Sequence, residues 1–273
     1  MPTAKVHGAE IHYEEAGSGP PIILSPGGLQ GRADSYQPVM DVLSQEHRVV
    51  AYDRRFGGRS RSNLVVQTWD MVCEDVFGLM DVLGLEQAYL GGGSFGAAIS
   101  LGCAARQPQR VRAIFPSNIA GGVICDSYLA MKLFKSADMA VNHGIKTVVE
   151  AFDSDDRFSP FTPELAQLDT EYRKTLEGMA TEDFAQVMRD TIYAFFDGPF
   201  PTLGMTQEML KSIRTPALVM PGSNDIHPRR VAELVHRLVP NCQWAEIPPH
   251  SEAPAKYAQR VLQFLAEVEA SSR

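Results

Sequence analysis

Residues 88–106 impose the tightest constraint on what this chain can fold into. A short apolar run, Ala88-Tyr89-Leu90, meets Gly91-Gly92-Gly93, then Ser94, then Phe95-Gly96 and a run of small and apolar residues with helical character. Gly92-Gly93-Ser94-Phe95-Gly96 fits the pattern G-x-S-x-G. In such a segment a strand turns sharply into a helix, and the serine at the apex takes a strained backbone conformation. A side chain at either flanking glycine would collide with neighbouring backbone, so Gly92 and Gly96 suit the turn. The serine hydroxyl then projects above the sheet, over the N-terminus of the following helix. A glycine-rich turn with an incidental serine matches the same five letters, so discrimination falls to the rest of the chain.

With 273 residues, one large α/β domain with an insertion can be built. The net charge of −8, with no Lys/Arg cluster, argues against binding nucleic acid. Cys73, Cys103, Cys125 and Cys242 are widely spaced with no C-x-x-C pair, which fits reduced, mostly buried thiols in a cytoplasmic protein. The N-terminus lacks the apolar core of a signal peptide, and no stretch reaches about 18 apolar residues, so neither secretion nor membrane insertion is expected. Gly91-Gly92-Gly93 lacks the spacing and the following Lys of a phosphate cradle, and no metal-ligand cluster stands out. No cofactor is expected, and a homodimer is left open.

Taken in order, residues 4–16 read as two short strands around Gly8, closed by Gly17-Ser18-Gly19-Pro20-Pro21. Ile22-Ile23-Leu24 is a continuous apolar run, as in a strand buried on both faces, and feeds Ser25-Pro26-Gly27-Gly28-Leu29. A helical pattern near 35–45 precedes a strand at Val49–Tyr52 and then Asp53-Arg54-Arg55-Phe56-Gly57-Gly58-Arg59-Ser60. Apolar residues at Trp69, Val72, Val76, Leu79, Met80 and Leu83 recur at helical spacing, with Thr68 as the cap. After the serine turn, Val111–Pro116 is the next strand. From 122 to 209 strand alternation stops and helical stretches take over, at 127–142, 146–152, 163–179 and 182–196. Strand–helix alternation resumes at 217–220, 229–239, 243–247 and 256–269. Alternation of this kind implies a mainly parallel sheet, here eight strands, with helices on both faces. Residues 1–121 and 210–273 would form that core. Residues 122–209 would form a helical cap above the strand C-terminal ends, where such sheets bind ligands.

These features together resemble the capped α/β-hydrolases over nearly the whole chain. The resemblance rests on the opening hairpin, the Gly-rich loop after Leu24, D-R-R-F-G-G-R-S at 53–60, the serine turn, the helical insertion, Pro221-Gly222-Ser223-Asn224-Asp225 and a late histidine. The family's usual forms are H-G-x in the first loop and D-x-R-G-x-G-x-S in the second. Here Ser25-Pro26 stands where histidine is usual, and Phe56 and Gly57 depart from the second pattern.

The resemblance implies a serine hydrolase. A serine hydroxyl is a weak nucleophile near neutral pH and needs an adjacent base oriented by a third group. The family's chain order is Ser, then Asp/Glu, then His. That order nominates Ser94 as nucleophile, Asp225 after the strand at 217–220, and His250 after the strand at 243–247. Asp126, or less well Asn118, is the alternative acid used by relatives that place it after an earlier strand. Pro248-Pro249 precede His250 where glycine is common, which stiffens that loop. His227 lies two residues after Asp225, too close for easy pairing with both that carboxylate and Ser94, so it is expected to shape the acid loop. The oxyanion hole would use the backbone N–H groups of Phe95 and Gly28, with Leu29 as a one-residue alternative to Gly28. Asp53, Arg54 and Arg55 are expected to brace the loops from behind.

The insertion holds eight of the thirteen Phe, including Phe134, Phe158, Phe161, Phe184, Phe195 and Phe196, and 15 Asp/Glu against seven Lys/Arg. An apolar pocket wall under a roof of negative charge favours a small to medium, largely apolar ester or lactone and disfavours polyanions. Carbon–carbon bond hydrolysis of a diketone-type ring-cleavage product, run with the same triad, is the main alternative. A small-molecule receptor that kept the triad is another, because fold and triad do not by themselves fix the reaction.

Overall fold

A computed structural model describes residues 2–29, 31–151 and 170–271, so Phe158 and Phe161 lie outside the described residues. Eight strands form one sheet: β1 (Thr3–Val6), β2 (Ala9–Ala16), β3 (Pro21–Ser25), β4 (Arg48–Tyr52), β5 (Ala88–Ser94), β6 (Val111–Ile119), β7 (Ala217–Val219) and β8 (Cys242–Trp244). Their spatial order is β1-β2-β4-β3-β5-β6-β7-β8. β1, β2 and β4 pair antiparallel, while all contacts from β4 through β3 to β8 are parallel.

Each turn of the architecture has a local cause. The opening hairpin closes through His7 and Gly8, both at positive φ (44° and 77°), the sense of turn whose twist matches the paired strands. β3 carries Ile22, Ile23 and Leu24, all fully buried, because helices cover both faces of the sheet. On one face lie α2 (Trp69–Val82) and α3 (Phe95–Arg106); on the other, α1 (Gln37–Leu43) packs against α10 (Pro254–Ser271). Thr68 starts α2 as expected: its Oγ1 accepts from the N–H of Met71 at 3.1 Å.

Between β6 and β7 the described chain is helical, with α4 (Val123–His143), α5 (Ile145–Ala151), α6 (Thr170–Glu177), α7 (Thr181–Phe196) and α8 (Gln207–Ser212). α4 packs along α7, which buries Phe184 and Phe195. α9 (Arg229–Leu238) then links β7 to β8. Trp69 ties the insertion to the sheet. Its indole N–H donates to the carbonyl of Phe195 at 3.0 Å, and its ring stacks on Phe95 at 4.7 Å. Phe195 meets Phe95 edge-on at 5.4 Å, so an aromatic cluster sits directly beside the serine turn. Among the described residues no helix is long and apolar enough to cross a membrane. Cys73, Cys103 and Cys125 are buried and Cys242 half-buried, all as free thiols.

Candidate active site

Ser94 ends β5 with φ 57° and ψ −118°, and α3 begins at the next residue. That region of backbone space is costly for a residue with a Cβ and persists only where the surroundings enforce it. Here the enforcement is close packing of backbone. A Cβ at Gly96 would lie 1.9 Å from the Ser25 carbonyl oxygen, and one at Gly92 would lie 2.6 Å from the same oxygen and from Gly96. The loop after β3 is equally close, since a Cβ at Gly27 would come within 3.3 Å of the Ser94 Cβ.

Tyr36, which the sequence pattern did not single out, secures the strand end. The register of β3 with β5 stops at Ser25–Gly92, which leaves the next N–H of β5 without a strand neighbour on that side. The fully buried Tyr36 hydroxyl replaces it, accepting from Gly93 N–H at 2.8 Å and donating to the Ser25 carbonyl at 3.2 Å. Burial holds this phenol well above its ordinary pKa, so it stays protonated and able to donate.

The imidazole that meets the nucleophile is His227. Its Nε2 lies 2.8 Å from Ser94 Oγ and its Nδ1 lies 3.0 Å from Asn224 Oδ1. An amide oxygen can only accept, so Nδ1 carries the proton and the bare Nε2 faces the serine hydroxyl. Asn224 Oδ1 also accepts from the backbone N–H groups of Ile226 and His227, at 3.1 and 2.9 Å, which pins the loop. Burial lowers the His227 pKa and keeps the ring neutral near pH 7. The loop-shaping role expected for His227 is therefore joined by a direct contact. The geometric objection fails because Asn224, not Asp225, is the residue on its far side.

His250 and Asp225 stand differently. His250 stacks on Tyr36 with ring centroids 4.4 Å apart, and a Cβ at Gly93 would lie 3.0 Å from its Cε1, so it borders the serine turn. Its Nδ1 is buried without a hydrogen-bond partner, and burial pushes its pKa down to about 4. Asp225 is exposed and makes no hydrogen bond or ion pair with any of the described residues. In this arrangement the order Ser94–His250–Asp225 is not linked by hydrogen bonds. Asp126 sits in the first turn of α4, where burial raises its pKa to about 6, and Asn118 has φ 48° at the end of β6.

The candidate oxyanion donors flank the serine. Phe95 opens α3, so its N–H belongs to the unpaired first turn of a helix. Gly28 has φ 71° and open space around its Cα, and Leu29 is buried beside it. Behind them, Asp53 binds Arg59 and the N–H groups of Ala33 and Arg59, and Arg55 forms a buried ion pair with Asp75. Both act as braces. Arg54 does more, since it holds the Gly28 carbonyl from Nη1 at 2.5 Å. Phe56, standing where the resembled pattern has glycine, takes φ 64° with its ring buried.

A family model described as alpha/beta hydrolase fold matches residues 20–248. A protein of Azorhizobium caulinodans, provisionally named carbamate hydrolase RutD, is 27% identical over 98% of this chain and all of its own length. A 2-hydroxymuconate semialdehyde hydrolase of a Pseudomonas strain is 25% identical, over 97% of this chain and 93% of its own. The crystal structure of the enol-lactonase from Burkholderia xenovorans superposes with a TM-score of 0.68 at 23% identity, covering 97% of this chain and all of that one, which establishes likeness of fold.

Proposed function

We propose, from the premise that this chain belongs to the alpha/beta hydrolase fold family and is a hydrolase of that type, that it cleaves a small to medium, largely apolar ester or lactone through an acyl-enzyme on Ser94. The observation that carries the reading is a serine at positive φ on a strand-to-helix apex with an imidazole Nε2 at 2.8 Å. Such a contact activates a hydroxyl that is otherwise a weak nucleophile. His227 takes the Ser94 proton during attack and returns it to the leaving group. Asn224 holds the ring in the tautomer that leaves Nε2 free, as a neutral amide can do in a related constellation built on cysteine. The N–H groups of Phe95 and Gly28 stabilise the oxyanion.

A second assignment of the base is favoured by chain position and by one observation. His250 follows β8, borders Gly93 and presents a neutral ring with an unpartnered Nδ1. With Asp225 brought onto that nitrogen, it would complete the order Ser94–Asp225–His250. This assignment needs both side chains to move, which is why His227 comes first.

Alanine at Ser94 should abolish hydrolysis of a nitrophenyl ester with the fold intact, and an unchanged rate rejects the reading. Alanine at His227 and at His250 separates the two bases, because the true base loses acylation by roughly 10²–10⁴. The name of the Pseudomonas relative favours, as a second reading, hydrolysis of a semialdehyde of that kind, which we take as carbon–carbon cleavage of a ring-cleavage product. Comparing a ring-cleavage dienoate with simple esters by kcat/KM decides between the two reactions.

A further inference from the structure

Arg54 is only 2% exposed, yet the protein engages one arm of its guanidinium and leaves the other idle. Nη1 donates to the Gly28 carbonyl at 2.5 Å, and the guanidinium carbon lies 3.9 Å from the centroid of the Phe95 ring. Nη2 is buried with no hydrogen-bond partner. The carboxylates closest in sequence are already committed, Asp53 to Arg59 and Asp75 to Arg55. A buried cationic N–H without an acceptor is among the costlier arrangements in a protein, and an aromatic face attracts the charge without offering a lone pair. The location gives the unpartnered N–H meaning. Gly28 lies in the loop that packs against Ser94, and Phe95 directly follows Ser94, so the guanidinium stands between the two segments nominated as oxyanion donors.

We infer that Arg54 Nη2 is the recognition point for a substrate carboxylate placed a few bonds from the carbonyl that Ser94 attacks. The inference rests on Ser94 being the nucleophile and narrows the substrate to an ester, lactone or oxo compound that carries one carboxylate. One free arm suits one carboxylate oxygen, and a charge-assisted hydrogen bond in a water-poor site discriminates strongly against a neutral analogue. The net negative charge of the helical insertion opposes a second anionic group on the ligand. The Gly27–Gly28 loop must yield for the carboxylate to arrive, and neither residue carries a side chain to obstruct that movement.

The test uses methyl half-esters of malonate, succinate and glutarate against their isosteric methyl ester amides, with acid release followed in a pH-stat. The unaltered enzyme should favour at least one half-ester over its amide by tenfold or more in kcat/KM. Arg54→Lys and Arg54→Gln should each shrink that ratio at least tenfold, Lys because it keeps the charge without the fork. A ratio near one in the unaltered enzyme, or one unmoved by folded variants, overturns the inference and leaves Nη2 satisfied by buried water only. The first arm needs no variant to fold. If neither ester class is turned over, calorimetric titration of the unaltered protein with succinate half-ester and its amide replaces the rate. Tighter binding of the half-ester, lost in the Arg54 variants, upholds the carboxylate site while the Ser94 reading fails. Equal binding, or none, overturns the site.

Discussion

Removal of a single oxygen, Tyr36→Phe, measures how the serine turn is held. The hydroxyl accepts from Gly93 N–H and donates to the Ser25 carbonyl, at 2.8 and 3.2 Å, in a fully buried position. Phenylalanine keeps the ring and its stack on His250 but leaves Gly93 N–H beyond the last paired residue of β3, with no strand to bond. An orphaned buried donor costs about 1–3 kcal/mol, well above the gain from no longer burying a hydroxyl. The variant should therefore be destabilised by about 2 kcal/mol, a large part of the stability of an ordinary domain. Urea unfolding followed by far-UV circular dichroism reads this as a lower midpoint at unchanged slope. Ester turnover should fall too, because Gly93 immediately precedes the nucleophile. A destabilisation below about 0.5 kcal/mol with the slope unchanged would refute the reasoning, since it would mean Gly93 N–H has another acceptor.

Gly96→Ala places a Cβ 1.9 Å from the Ser25 carbonyl oxygen, so α3 and β3 must part by more than an ångström. That displacement at the nucleophile should cost about 10²-fold or more in kcat, and steady-state kinetics on a nitrophenyl ester read it directly. The pKa of His250 is pushed down to about 4 from 6.5 by burial, so its neutral form is favoured in the folded state. The unfolded chain then binds the extra proton between those values, and the stabilisation, at most about 3 kcal/mol, is present above pH 6.5 and lost as pH falls towards 4. Urea midpoints across that window should fall with pH in the unaltered protein and fall less in His250→Ala. Because burial also lowers the His227 pKa, the acid limb of kcat/KM should lie below 6.5 and move when His227 is replaced.

Local pattern made much of the fold legible. Thr68 and the apolar spacing from Trp69 onward define α2, the runs at Ile22 and Val49 define strands buried on both faces, and α4 begins at Val123, where strand alternation stops. Gly92 and Gly96 could be read because backbone curvature at the turn is itself local. The contacts that finish the site join distant residues and leave no trace in spacing. Tyr36 reaches Gly93 over 57 positions, and His227 reaches Ser94 over 133. Nothing in the run Gly91-Gly92-Gly93 sets the first glycine apart, yet a Cβ there would meet the Phe115 ring at 1.8 Å, a contact set by packing of β5 against β6. The bond between His227 and Asn224 was hidden for another reason: motif order draws attention to Asp225, whereas the side chain that bonds the imidazole is its amide neighbour.

The covalent step is the most direct test of all. Rapid quenching of the enzyme during turnover of a slow nitrophenyl ester, followed by intact-mass measurement and peptide mapping, should find the acyl group on the peptide that contains Ser94. Its formation should be lost in Ser94→Ala. Full turnover without any adduct on that peptide, or an adduct carried by another residue, would contradict the mechanism.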